Sequence, residues 1–190
     1  RGVSPAFESV KRGQWQREQF RGHSLSYKTL GIVGLGRLGT LMAGYGQALQ
    51  MKVIAYSPYT KPEYFLKLGV SAVSFNDLLS NSDLISLQGP LRVETMLMFN
   101  AKAFLLVKKN LYLINTSRGE VVDEQALLHA LQSGQIAGYA TDVLAAETNF
   151  LNSQANNQPL IEYARTGRNL LITPHLGGMT EESRQATDLF

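Results

Sequence analysis

An α/β fold, built as a doubly wound parallel sheet with helices on both faces, is what three observations predict. Apolar runs rich in β-branched residues alternate with segments of helical periodicity along nearly the whole chain. The apolar runs are continuous rather than alternating, as strands buried on both faces require. A glycine-rich turn joins the first such run to the first helical segment. Each parallel crossover needs a connection long enough for a helix, so the alternation and the sheet type imply one another.

Taken in order, residues 29–34 (TLGIVG) read as the first strand. Residues 37–50 read as a helix, because Leu38, Leu41, Met42, Tyr45 and Leu49 recur near helical spacing. A strand at 52–56 (KVIAY), a short helix at 62–68, a weak strand at 72–75 and a helical turn at 76–80 capped by Asn76 come next. Residues 83–87 (DLISL) form another buried strand. Helical segments at 94–99 and 101–108 precede a strand at 111–115, a helix at 124–133 closed by Gly134, and a strand at 137–143. The last strand lies at 170–173.

The 190 residues suit one sizeable domain, and 44% hydrophobic with 17% charged residues is ordinary globular composition. A net charge of +3 is spread along the chain except at Lys108-Lys109 and the amino-terminal arm, so a nucleic-acid partner is not expected. Apolar runs fall short of the roughly 20 residues that span a bilayer, and the basic amino terminus lacks an apolar signal region. No membrane partner is expected, and the chain reads as soluble and cytoplasmic. The absence of cysteine removes disulfides and thiolate metal sites. No metal is expected.

Gly34-Leu35-Gly36-Arg37-Leu38-Gly39 is a G-x-G-x-x-G placed after a strand and opening a helix, the setting that marks a Rossmann-type dinucleotide site. Gly34 permits the tight turn, Gly36 lets the backbone approach a pyrophosphate, and Gly39 lets helix and strand pack closely. Backbone N–H groups and the positive helix end then hold the phosphates. About 20 residues further on, where an acid usually accepts the adenosine ribose hydroxyls, the chain carries Ser57. A serine can bond a ribose hydroxyl without repelling a 2′-phosphate, and Lys61 could attract one or merely decorate a turn. No arginine adjoins Ser57 to grip a phosphate, so NAD is the expected cofactor and NADP the alternative.

Three downstream pieces place chemistry at strand ends: Ser117-Arg118-Gly119-Glu120, Asp142-Val143-Leu144-Ala145-Ala146-Glu147 and Thr173-Pro174-His175-Leu176-Gly177-Gly178. Open parallel sheets bind their ligands at that edge, which makes Arg118, Glu147 and His175 a candidate catalytic set. Alone, each would more often be a salt bridge, a solvated loop carboxylate or a structural histidine.

With these pieces in order, the chain resembles the nucleotide-binding domain of the D-isomer-specific 2-hydroxyacid dehydrogenases, the family of D-lactate, glycerate, hydroxypyruvate and phosphoglycerate dehydrogenases. The matching stretches are GIVGLGRLG at 31–39, VIAYSPY at 53–59, Gly89-Pro90-Leu91 followed by Glu94-Thr95, NTSRGEVVDE at 115–124, GYATDV at 138–143 and TPHLGG at 173–178. Gln88 departs from the histidine that many relatives carry before the third of these.

The resemblance implies that Arg118 binds the substrate carboxylate and carbonyl oxygen, a task its planar fork suits. It makes His175 the general acid or base, for which an imidazole's ordinary pKa of about 6.5 is apt. Glu147 would hold that imidazole. Around the cofactor it implies Arg37 and Leu38 at the pyrophosphate, Pro90 and Thr95 by the adenosine, Thr116 and Ser117 by the nicotinamide ribose, and Asp142 at the carboxamide. Gly177 and Gly178 complete that set. Thr95 and Thr116 read equally well as caps of a helix or turn.

The same resemblance implies a separate substrate domain that closes the cleft and that these 190 residues do not contain. Residues 1–21 resemble the linker helix and arm entering the nucleotide domain, and 181–190 resemble the start of the helix leading back. Trp15 and Phe20 would pack against a second subunit of a homodimer or on their own core. The implied reaction is hydride transfer between NAD(P) and a small D-2-hydroxy or 2-keto acid, with little or no turnover by this domain alone. A corepressor-like scaffold that senses NAD(H) is the main rival, and a methyltransferase using the glycine turn alone is disfavoured by the three downstream motifs.

Overall fold

All seven apolar runs form strands, and all seven join one parallel sheet. The computed structural model describes residues 2–150, 158–167 and 169–188. Its strands are β1 (Thr29–Val33), β2 (Lys52–Tyr56), β3 (Ser71–Ala72), β4 (Leu84–Leu87), β5 (Leu111–Asn115), β6 (Ile136–Thr141) and β7 (Leu170–Ile172). They lie side by side in the order β3-β2-β1-β4-β5-β6-β7. The sequence order reverses between β1 and β4, where Leu30 sits between Val53 on one side and Leu84 on the other. At such a switch point the connections leave toward opposite faces, and a crevice opens at the carboxyl ends of the strands.

The helices among the described residues are α1 (Val3–Lys11), α2 (Arg37–Ala48), α3 (Pro62–Leu68), α4 (Phe75–Asn81), α5 (Ala101–Leu106), α6 (Glu124–Gln132), α7 (Pro159–Thr166) and α8 (Glu181–Asp188). One apolar cluster brings Leu30, Ile32 and Val53 together with Ala43 of α2 and Phe65 of α3. The larger cluster joins Ile85, Leu87, Leu111, Leu113 and Ile136 to Leu78, Phe104 and Leu127 of α4, α5 and α6. Each such fully buried side chain contributes about 1.5–3 kcal/mol, which holds the strand ends in fixed register beneath the site. Among the described residues no helix is long and apolar enough to cross a membrane.

Several local expectations are corrected. Residues 94–99 form turns rather than a helix, because the Thr95, Met96 and Met98 N–H groups bond back to Arg92 or Thr95 while two others pair with a distant segment. Leu97 N–H donates to the Glu120 carbonyl at 2.9 Å and Phe99 N–H to that of Val121 at 3.1 Å. The expected turn at 76–80 is the longer α4, capped by Ser74 rather than Asn76; the Ser74 hydroxyl accepts from Asp77 N–H at 3.1 Å. That cap also ends early the strand expected at 72–75, of which only Ala72 falls in β3. α7 went unread in the sequence, although Pro159 and the capping amide of Gln158 open it. The arm at 1–21 contains α1 and a 3-10 turn at Arg17–Phe20, with residue 1 outside the described residues. A helix, α8, occupies Glu181–Asp188 of the segment read as the start of a return helix, and positions 189 and 190 also lie outside the described residues.

Candidate active site

The glycine turn occupies the switch point. Gly34 has φ +93°, and a Cβ there would stand 2.6 Å from Gly89 Cα, so the turns after β1 and β4 lie back to back. A Cβ on Gly39 would stand 2.0 Å from the Gly34 carbonyl oxygen, which is the tight helix-to-turn packing read from the motif. Gly36 is different: within 4 Å of its would-be Cβ there is nothing. The backbone is therefore open on the side where a pyrophosphate must approach. The first N–H groups of α2 lack intrahelical partners by geometry, and Arg37 and Leu38 are exposed beside them. These features fit a bound dinucleotide.

Ser57, just beyond β2, is tied to the same turn. Its Oγ accepts from Leu35 N–H at 3.0 Å and lies 2.8 Å from Thr60 Oγ1. Pro90 follows β4, and its carbonyl accepts from the Thr95 hydroxyl at 2.9 Å while Arg92 N–H donates to that hydroxyl at 2.8 Å. Thr95 thus closes a turn, as the capping alternative has it. Thr116 Oγ1 accepts from Gln88 Nε2 at 3.1 Å, and the buried Ser117 hydroxyl donates to the Gly89 carbonyl. Both link the ends of β4 and β5.

Arg118 leaves the end of β5 on a braced loop. The wholly buried Asn115 amide accepts from Ser117 N–H at 3.0 Å and donates to the Arg118 carbonyl at 2.9 Å. The guanidinium is exposed, with one N–H on the Ser117 carbonyl at 2.7 Å, leaving most of its fork for a ligand. Gly119 packs under the turn after β6: a Cβ there would stand 2.0 Å from the Leu144 carbonyl carbon.

Glu147 and His175 meet above the ends of β6 and β7. Glu147 Oε1 lies 2.5 Å from His175 Nδ1, and Oε2 accepts from Leu144 N–H at 3.1 Å. An ionised carboxylate only accepts, so Nδ1 carries the hydrogen and Nε2 is the ring nitrogen that Glu147 does not engage. His175 has φ +54°, as does Ala146. Left-handed backbone in residues with a side chain concentrates at sites where the surroundings enforce it.

Asp142 does that enforcing for the histidine turn. Its Oδ1 accepts from the Thr173 hydroxyl at 2.5 Å and from Leu176 N–H at 2.8 Å, and its Oδ2 accepts from Gly177 N–H at 2.8 Å. Oδ2 keeps capacity for one more donor, such as a carboxamide N–H. Burial pushes this carboxyl up, but the three hydrogen bonds and the nearby His175 outweigh it and hold its pKa below the ordinary 3.8. A lowered folded-state pKa means stabilisation that is complete above the ordinary value and lost as pH falls through the folded one. Asp142→Asn is accordingly expected to lower Tm at pH 7, with the gap to the parent narrowing toward pH 3. An equal gap at both values in thermal melts would sink this account.

The sequence reading missed three residues. Asn115 had a signal: an amide ending an apolar strand needs buried partners. Glu120 and Glu124 had none, because their carboxylates reach a loop more than 20 residues away, accepting from Ala146 N–H at 3.1 Å and Ala145 N–H at 2.8 Å.

A glycine turn at the switch point of a parallel sheet, with Arg118, Glu147 and His175 beyond the carboxyl ends of β5, β6 and β7, is the arrangement of a dinucleotide-binding domain. The chain belongs to the D-isomer specific 2-hydroxyacid dehydrogenase family, as its NAD binding domain, with the family's sequence profile matching residues 1–177. It is 39% identical over 185 residues to a D-3-phosphoglycerate dehydrogenase of Synechocystis, covering 97% of this chain and 31% of the relative. A glyoxylate reductase of Thermococcus litoralis is 40% identical over 192 residues, 97% of this chain and 55% of that one. Among solved structures, a D-lactate dehydrogenase from Aquifex aeolicus complexed with NAD and lactic acid matches with a TM-score of 0.84 at 35% identity, over 95% of this chain and 56% of that one. The chain thus spans between about a third and just over half of the length of these relatives.

Proposed function

We propose that the full-length protein transfers a hydride between NAD(H) and a small D-2-hydroxy acid or its 2-keto form. The observation that carries this is the 2.5 Å contact from Glu147 to His175 Nδ1, which turns Nε2 outward at the strand edge that Arg118 shares. Bound nicotinamide supplies or accepts the hydride. Arg118 holds the substrate carboxylate and polarises its carbonyl. His175 gives a proton from Nε2 to that carbonyl oxygen during reduction and takes it back during oxidation, while Glu147 keeps the ring in the useful tautomer. The paired geometry favours an enzyme over a sensing scaffold, since a scaffold needs no outward proton donor.

In this reading the 190 residues are the dinucleotide-binding domain, and a substrate domain completes the cleft in the longer protein. Their partial coverage of the relatives supports it. A homodimer joined through the arm belongs to the same reading, supported by the exposure of Trp15 at 84% and of Val3, Phe7 and Val10 on α1. Phe20 is half-buried. A cytoplasmic setting is its companion, checked by cell fractionation. The central test is a screen of the full-length protein with NADH and NADPH against glyoxylate, hydroxypyruvate, pyruvate and phosphohydroxypyruvate. Turnover of none of them, with tight dinucleotide binding, would favour the scaffold.

Cofactor choice is placed at Ser57. Ser57→Asp is expected to weaken NADPH by at least about tenfold through like-charge repulsion, with much less effect on NADH. Fluorescence titration reads both, and an unchanged NADPH affinity would show that the ribose 2′ position lies elsewhere.

A further inference from the structure

We propose that Glu120 and Glu124 are positioning residues that hold Glu147 against His175 by strapping down the turn between them. This rests on the acid–base reading of Glu147 and His175 given above. The turn after β6 presents three successive peptide N–H groups. Leu144 N–H goes to Glu147 Oε2 at 3.1 Å, Ala145 N–H to Glu124 Oε1 at 2.8 Å, and Ala146 N–H to Glu120 Oε1 at 3.1 Å. Successive N–H groups can form a cradle for an anion. Here each is taken by a carboxylate of the chain itself, so the cradle grips side chains rather than substrate.

The strap connects the two halves of the chemistry. Glu120 follows Arg118 by two positions in the 3-10 turn Gly119–Val121, and Glu124 is the first residue of α6. The other end of the strap is the turn whose last residue is Glu147. Glu124 is itself anchored, since its Oε2 accepts from Gln158 Nε2 at 2.5 Å and Gln158 Oε1 caps α7 by accepting from Leu160 N–H at 2.6 Å. Burial pushes the Glu124 carboxyl up, the bonds from Ala145 and Gln158 pull it down, and neighbouring Glu120 pushes it up again. Bringing carboxylates together in this way is unfavourable unless the turn they grip needs holding. It does: Ala146 sits at φ +54°, a conformation that a side chain disfavours and the contacts must impose.

A tether of this kind sets the distance and angle between Glu147 and the imidazole, and misplacement by about 1 Å costs up to roughly 100-fold in turnover. The test uses the full-length protein and two readouts. One is the ring nitrogen signature of His175 in long-range 1H–15N spectra, identified by its loss in His175→Asn. The other is kcat beside the NADH Kd. Glu120→Ala and Glu124→Ala are expected to convert His175 from an Nδ1–H signature to an averaged one and to lower kcat by about 10-fold or more, with Kd changed less than about twofold. Glu120→Gln and Glu124→Gln, which keep an acceptor oxygen, restore most of both. Should an alanine variant fail to fold, Glu120→Asp and Glu124→Asp keep the charge but fall short of the turn, and the same losses are expected. Parent-like ring signals and kcat in folded variants would overturn the strap. Glu147→Gln separates the two readings. If it retains full kcat, the acid–base role fails, whereas the response of the ring signature to the Glu120 and Glu124 variants decides the strap by itself.

Discussion

His175→Ala in the full-length protein is expected to lower kcat by about 10²–10⁴-fold, the ordinary contribution of a positioned general acid, while NADH affinity stays within about twofold. The reason is geometric. His175 Nδ1 faces Glu147 at 2.5 Å, so in the proposed reaction the ring's other nitrogen carries the proton. Arg118→Lys is its companion, expected to cost about 10²–10³-fold, because an ammonium cannot present the planar fork that grips a carboxylate and a carbonyl together. Steady-state kinetics alongside dinucleotide binding distinguish these effects. A fall in NADH affinity equal to the fall in kcat would place either residue at the cofactor instead of the substrate.

Gly119→Ala is expected to damage both stability and turnover from a buried backbone position. The added Cβ would stand 2.0 Å from the Leu144 carbonyl carbon and 2.1 Å from Ala145 N. Both contacts are backbone, so one strand-end loop must move away from the other. Overpacking of this kind costs about 1–3 kcal/mol, or about 2–4 °C of Tm for each kcal/mol at this size. The displacement separates Arg118 from the Glu147–His175 pair, and kcat should fall by about 10²-fold. Calorimetry with kinetics checks both parts. A variant with parent-like Tm would mean that the two loops do not bear on one another.

How much of this was legible depended on the range of the interaction. Strand positions were readable because strands buried on both faces of a parallel sheet are apolar throughout, and α3 (Pro62–Leu68) matches its expected bounds because Pro62 opens it and Gly69, at φ +63°, closes it. The segment at 94–99 was misread because its Leu97 and Phe99 N–H groups pair with the Glu120 and Val121 carbonyls, a partnership that no local pattern records. Ser74 took the capping position from Asn76, since either side chain can cap and only the chain's path chooses between them.

The site divides in the same way. Arg118, Glu147 and His175 stood out in the sequence because each follows an apolar run in a distinctive short motif. That Glu147 reaches His175 across 28 positions and Asp142 ties down the 173–177 turn was decided by β6 and β7 lying side by side. Glu120 and Glu124 appeared only when the ends of β5 and β6 were brought together. The sequence by itself determined the sheet, the glycine turn and the candidate reactive groups, because burial and turn geometry are written in neighbouring residues. The tertiary structure alone decided which groups brace which, because a hydrogen bond acts over about 3 Å and chain order does not say which distant peptides come within that reach.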